Sequence, residues 1–241
     1  MERLAYLLKQ WLPGVFQWVE ATARAVTRLR FGRRIAKAEN QAFLEGSVDG
    51  NPAAIRSLDS TDAERLHQFL AYLPPDWLEY FQPHPLDRVG LEKVLKSPAF
   101  MNYGLFINSQ IAGYALLKVA PTGSAFIGRL VSPAYGGQGL GKFLARYLYW
   151  QASLAGLSPR STISRQNYAS LKSHQAVTEY RVVAELPNNY LMIEFPLKNR
   201  EKPELCLPGK GEKHKGQRVN GITGKAQAKG ERRKGKNGLT G

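Results

Sequence analysis

The chain has 241 residues, 34 Lys and Arg against 19 Asp and Glu, a formal charge of +15, 43% apolar residues and a single cysteine, Cys206. That length suffices for one full core with extensions or for two small domains, and the composition excludes collagen-like, coiled-coil and wholly disordered chains. One cysteine cannot form an internal bridge, so a disulfide scaffold is excluded and a reducing, cytoplasmic setting is expected.

The charge is unevenly spread. Residues 1–40 hold 8 basic and 3 acidic side chains, residues 41–197 hold 13 and 12, and residues 198–241 hold 13 and 4. The middle is nearly neutral and the basic signal belongs to the two ends.

From Leu4 to Val26 apolar residues are dense, but Lys9, Pro13, Gly14 and Glu20 interrupt them, which speaks against a membrane span. The basic cluster Arg28, Arg30, Arg33 and Arg34 follows the apolar stretch instead of preceding it, which speaks against a cleavable signal peptide. The pattern predicts helices over 2–12 and 14–38, broken at Pro13, as a basic helical extension covering residues 1–45. Packing on the main domain and lying on an anionic membrane surface are both open to it.

The body of the chain, residues 50–197, alternates strand and helix signals. Ala53–Leu58 reads as a short strand, and Ser60-Thr61-Asp62 before Glu64 as a cap for a helix to Leu70. Leu73-Pro74-Pro75 stops it; helical turns follow over Asp76–Phe81 and Asp87–Lys96. Tyr103–Ile107 and Ile111–Val119 around Asn108-Ser109-Gln110 read as a hairpin, and Ser124–Val131 as a further strand. After a glycine cluster, Leu140, Phe143, Leu144, Tyr147 and Leu148 fall on one helical face, with Gly156 placed to end the helix. A strand over Ser161–Ser164, a helix from Tyr168 to Val177, and strands Tyr180–Ala184 and Tyr190–Phe195 about Pro187-Asn188-Asn189 complete an α+β, or mixed α/β, domain. The tail 198–241 is rich in Gly and Lys and poor in large apolar residues, so it is expected to be disordered. Such a tail can hold nucleic acid weakly through phosphates or simply be solvated.

The glycine turn Tyr135-Gly136-Gly137-Gln138-Gly139-Leu140-Gly141-Lys142 joins a strand to a helix N-terminus, where unpaired N–H groups and the helix dipole favour phosphate. Glycines that only tighten the turn are the plainer alternative. A nucleotide P-loop is disfavoured because Phe143 stands where a Ser or Thr hydroxyl would bind magnesium, and the dinucleotide fingerprint fails on spacing.

The stretch from Val131 to Leu144 resembles the central motif of the GNAT acyltransferase superfamily, V-x-P-x-(Y/F)-(R/Q)-G-x-G-(I/L)-G-x-x-L, with Gly136 where that family has Arg or Gln. Ile163–His174 is similar to the family's later motif, a strand ending at an Asn, small residues opening a helix, and a donor seven residues after the Asn. The resemblance implies a mostly antiparallel central sheet flanked by helices, and acetyl-CoA as cosubstrate without a metal. It implies backbone contacts from Leu130 and Val131 to the pantetheine arm, amides of Gly136, Gly137, Gln138, Gly139, Leu140, Gly141 and Lys142 at the pyrophosphate, and Asn167 at the cofactor. Asn167, Ser170 and His174 share a helix face, and the resemblance implies His174 as the proton donor to the departing thiolate, with Tyr168 as a lesser one and an ordinary surface or packed histidine as the plainer alternative. Asp76, Glu79 and His84 lie in the segment expected near the acceptor, His84 being the expected acceptor contact. The activity implied is acetyl transfer to an amine of a small molecule or aminosugar. A CoA-binding protein without turnover, an adaptor acting through the basic ends, and a homodimer remain open alternatives.

Overall fold

A computed structural model describes residues 13–196 and 200–208. The helix expected over 2–12, and the tail beyond Pro208, lie outside the described residues. Helix α1 (Pro13–Glu39) leads into a hairpin of β1 (Leu44–Val48) and β2 (Asn51–Ser57). Next come α2 (Ala63–Ala71), the single turn α3 (Pro75–Leu78) and α4 (Arg88–Leu95). Strands β3 (Phe100–Ile107), β4 (Gln110–Val119) and β5 (Ser124–Val131) form a meander, and α5 (Leu140–Ala155) returns the chain to β6 (Ser158–Ser164). Helix α6 (Tyr168–Gln175), strands β7 (Arg181–Leu186) and β8 (Tyr190–Glu194), and the short β9 (Leu205–Leu207) close the fold.

All nine strands make one sheet in the order β7-β8-β6-β5-β4-β3-β2-β1-β9, antiparallel except for β5 with β6 and β1 with β9. Residues of β3 and β4 are buried almost without interruption because both sheet faces are covered. On one face α1 and α5 pack Phe31, Ile35, Phe143, Leu144 and Leu148 against Tyr103, Leu105 and Leu117. On the other, α2 and α4 place Leu66, Leu70 and Leu91 over Phe106, Tyr114 and Leu116. A third cluster joins the back of α5 to the last strands through Tyr149, Ile163, Ile193 and Phe195.

Asp59 opens the second layer: its side chain accepts from the Thr61 amide at 2.8 Å, while Asp62 accepts from the Asp59 amide at 3.2 Å, a reciprocal cap before α2. Arg56 on β2 forks onto the Asp62 carboxylate at 2.7 and 2.8 Å, holding it below the usual carboxylate range and fixing α2 to the sheet.

One open reading is resolved and two expectations need correction. The N-terminal helix packs on the main domain, as one of its two readings had it: Phe31, Ile35 and Ala38 belong to the main core, and the Tyr147 hydroxyl donates to the Ala42 carbonyl at 2.6 Å. Its outer face still shows Trp18 and Leu29 to solvent. A strand precedes the one expected at Ala53, because Asp49 and Gly50, both at positive φ, turn β1 into β2. The segment taken as a disordered tail from 198 contains β9, with Leu205 buried. Gly46 permits that pairing, since a Cβ there would sit 1.6 Å from the Leu205 carbonyl oxygen. Among the described residues no helix is long and apolar enough to cross a membrane.

Candidate active site

Strands β4 and β5 pair through seven consecutive residues, Gly113–Val119 against Val131–Ala125. Strands β5 and β6 pair through only three, Ser124 to Phe126 with Ser158 to Arg160. Beyond Phe126 the two strands separate, and the opening is a cleft of about 400 Å³. Its walls are Ile127–Val131, Ser161–Ser164 and the inner side of α6, with α3 across the mouth. A second groove of about 300 Å³ shares Tyr80, Ile127, Gly128, Thr162 and Tyr190 with the first and is bordered by Leu116, Lys118 and Phe126. The gap between β5 and β6 is therefore reached by two adjoining grooves.

Hydrogen bonding along β5 fixes which backbone groups face the cleft. The Ser132 amide donates to Ala112 on the β4 side, and antiparallel alternation then turns Leu130 toward β4 and Arg129 and Val131 toward the gap. Of the two residues expected to present their backbone, Val131 does so and Leu130 does not. The Val131 carbonyl already accepts the Trp77 indole N–H at 2.7 Å.

The turn Gly136–Gly139 enters α5, of whose first residues Gly141 borders the cleft. Gly139 has φ +84°, a left-handed backbone that residues with a Cβ rarely adopt. Among the described residues the N–H groups of Gly137, Gly139, Leu140 and Gly141 have no protein acceptor. Four unpaired amides at the N-terminus of a 16-residue helix suit an anion, which the helix dipole favours there. Gln138 adds a buried side-chain oxygen without a partner, and Lys142 stands exposed in the first helical turn.

The later motif folds as expected and then departs in its chemistry. Asn167 caps α6, its side-chain oxygen accepting from the Ser170 amide at 3.0 Å, and Asn167, Ser170 and His174 all reach the cleft. His174 is buried: its ring stacks on Phe195 at 4.8 Å between centroids, and its Nδ1 lies 2.5 Å from the Tyr149 hydroxyl. Burial, reinforced by the positive charge of Arg129, lowers its pKa to about 2. An imidazole so held is neutral near pH 7, which removes the imidazolium that the expected proton donor would need. With Tyr149 held above the usual phenol range by burial, its hydroxyl stays protonated, and the contact pairs a phenol with a neutral imidazole.

Two other expected residues lie away from the gap. Tyr168 is 69% exposed and does not border it. His84 points under the α2–α4 layer, its Nε2 2.9 Å from the Tyr114 hydroxyl and its Nδ1 2.8 Å from the Pro85 carbonyl, with its ring edge-on to Phe100. The sequence placed His84 in the correct segment, but the buried partner Tyr114 lies 30 residues away and left no local signal.

Sequence reasoning missed Arg129. It reaches from β5 to the Gly141 carbonyl, to Ser173 Oγ at 2.5 Å and to the Ser170 carbonyl at 3.4 Å, tying the head of α5 to α6. Burial lowers its pKa to about 10, so it remains a cation. Opposite, Asp76, Trp77 and Tyr80 of the α3 region line the mouth. Among the described residues no three His, Cys, Asp or Glu side chains gather as a metal site.

Residues 66–176, which span α2 to α6, match the model of the acetyltransferase (GNAT) family. The fold is that of solved GNAT proteins. The GNAT domain of S. lividans PAT superposes with a TM-score of 0.58 at 17% identity, covering 64% of this chain and 97% of that one. The ribosomal-protein-S5-alanine acetyltransferase of Vibrio fischeri gives 0.51 at 12% identity over 62% and 96%. The yncA protein of Salmonella typhimurium, determined with acetyl-CoA, gives 0.50 at 19% identity over 64% and 99%. No curated protein sequence matches the chain.

Proposed function

We propose that this chain, whose residues 66–176 form a GNAT acetyltransferase domain, moves an acetyl group from acetyl-CoA to an amine of a small molecule. The observation that carries the reading is the parting of β5 and β6 after Phe126, in a cleft that Gly141 of the unpaired helix head borders. An extended pantetheine can lie along the free edge of β5 as an added strand would, while the diphosphate meets the amides of Gly137–Gly141. The residues present fit acetyl-CoA in this respect without a metal.

The acceptor is read from the mouth. Asp76 is the carboxylate bordering the cleft, Glu79 borders the adjoining groove, and Trp77, Tyr80 and Tyr190 supply aromatic walls. A carboxylate beside aromatic faces suits a cationic amine, which must lose a proton before its nitrogen can attack. Holding the amine and the thioester in one gap supplies orientation, the larger part of what such a transfer requires.

Calorimetry of the full chain with acetyl-CoA tests the reading: a dissociation constant in the micromolar range or tighter is expected, and a folded protein that binds neither acetyl-CoA nor CoA would overturn it. Thiol release across a panel of amines, aminosugars and peptides then identifies the acceptor class.

A further inference from the structure

The charge balance of the cleft leads one step further. Arg129 is half-buried, and no carboxylate of the described residues pairs with it. Its partners, the carbonyls of Gly141 and Ser170 and the hydroxyl of Ser173, are all neutral, so they satisfy N–H groups without balancing the charge. Its Nε is buried and has no partner. A side chain serving only to tie α5 to α6 would need neither a fixed charge nor a spare donor. The guanidinium is therefore short of both an anion and an acceptor, and it borders the cleft.

Its place selects the anion. The occupied end of the guanidinium reaches toward the head of α5, where amides already await the diphosphate. The free Nε is the guanidinium nitrogen nearest the backbone along the side chain, and residue 129 belongs to the part of β5 that has no neighbour in β6. On the acetyl-CoA reading, on which this inference rests, the thioester lies along that part of the strand. We propose that Arg129 is the cation that receives the coenzyme A sulfur as negative charge develops on it, so that the leaving group departs as a thiolate without an acid catalyst.

In that step the amine nitrogen forms a bond to the carbonyl carbon, the carbon–sulfur bond breaks with its electron pair on sulfur, and the ammonium proton passes to water. The neutral His174 cannot replace Arg129, because a neutral imidazole is a far weaker acid than a thiol with an ordinary pKa of about 8.5. A thiolate needs only modest stabilisation to persist near neutral pH, and a preorganised charge in a water-poor cleft supplies it. The other titratable or charged groups about the site are Asp76, Tyr80 and Tyr190 on the walls, and Tyr149 with Arg200 behind His174.

The test compares the affinity of the full chain for CoA and for dethio-CoA, in which hydrogen replaces the thiol, from about pH 6 to about pH 9. Titration of the protein's own groups affects both ligands alike and cancels in the ratio. In the wild type the preference for CoA should be near unity at the acid end and rise by about 10-fold or more at the alkaline end, corresponding to a bound thiol pKa lowered by at least one unit. Arg129→Met should abolish that rise, and any general change it makes in the site affects both ligands alike and cancels in the ratio. Arg129→Lys, which keeps the charge, should retain part of the rise. A flat ratio in the wild type overturns the proposal and needs no variant; a rise that persists in folded Arg129→Met overturns it equally. If neither ligand binds the wild type, the acetyl-CoA reading fails and the proposal falls with it, whereas dethio-CoA binding with a flat ratio leaves that reading standing.

Discussion

On one side of β5 the ladder to β4 runs the length of the strand; on the other the ladder to β6 stops after Phe126. The first half buries its backbone in hydrogen bonds and its side chains between two helical layers, and it builds the core. The second leaves backbone groups of β5 without a strand partner and the buried Nε of Arg129 without an acceptor, and it builds the site. A strand with one finished and one unfinished edge is thus scaffold and binding surface at once, because polar backbone left unpaired in an interior is costly until a ligand pairs it.

The largest effect is expected where the unfinished edge meets the glycine turn. Gly139→Val imposes a Cβ on a backbone at φ +84°, where no core atom is crowded: the nearest side chain to that Cβ is Leu207 at 3.8 Å. Left-handed strain alone is worth about 1–2 kcal/mol. Loss of cradle geometry should carry the fall in acetyl-CoA affinity to roughly 100-fold, about 2.7 kcal/mol. Calorimetry on a variant shown by circular dichroism to be folded measures it. Undiminished affinity would mean that the amides of this turn do not hold the phosphates.

His174 sharpens the contrast from the side of pH. Its folded pKa is about 2 and its unfolded value is the ordinary one near 6.5, so the unfolded chain binds a proton that the folded chain refuses. The contribution to stability is fully present above about pH 6.5 and is lost as pH falls toward 2, by up to about 1.4 kcal/mol for each pH unit. His174→Phe preserves stacking on Phe195 and should flatten the acid limb of a urea-denaturation series between about pH 6.5 and 4.5. An acid limb unchanged in that variant would show that His174 is protonated or open to water in the folded state.

The finished half is probed at its far edge. Gly46→Ala places a methyl group against the Leu205 carbonyl and should expel β9, exposing a leucine whose burial is worth about 1.5–3 kcal/mol. The midpoint of thermal denaturation should fall by about 3–12 °C, taking about 2–4 °C per kcal/mol for a chain of this size, with acetyl-CoA affinity little changed. Equal losses of stability and affinity would show that the two halves are not separable.

The same division governs what the sequence reveals. Elements with a dense local pattern were legible almost to the residue: the face Leu140, Phe143, Leu144, Tyr147 and Leu148 of α5 is buried throughout, and the glycine turn and Asn167 stand where their motifs require. Two strands were not. In β1 the run Glu45-Gly46-Ser47 lacks apolar alternation, and β9 is three residues between prolines in a basic tail. Their pairing depends on tertiary partners, which outweigh strand propensity. At the site, the position of His174 followed from helical spacing, but its protonation did not, since Tyr149, Phe195 and Arg129 lie 25, 21 and 45 positions from it. Arg129 reads as an ordinary strand residue, because no local feature shows that its partners lack a carboxylate.

The smallest expected effect concerns a protein group that occupies the unfinished edge. Trp77 donates its indole N–H to the Val131 carbonyl across the mouth of the cleft, 54 residues away in sequence. If the pantetheine arm pairs with β5 at Val131, the indole occupies the same acceptor, and binding must displace or share that bond. Trp77→Phe removes the donor and keeps an aromatic wall, so the carbonyl becomes free for the ligand. A hydrogen bond between neutral groups is worth about 0.5–1.5 kcal/mol net. Acetyl-CoA affinity should therefore rise by about 2- to 10-fold, mostly through a faster association rate measured by stopped flow. Weaker binding in this variant would show instead that the indole is part of the finished wall and that the donor does not use the Val131 carbonyl, which would move the pantetheine path toward the backbone of Arg129.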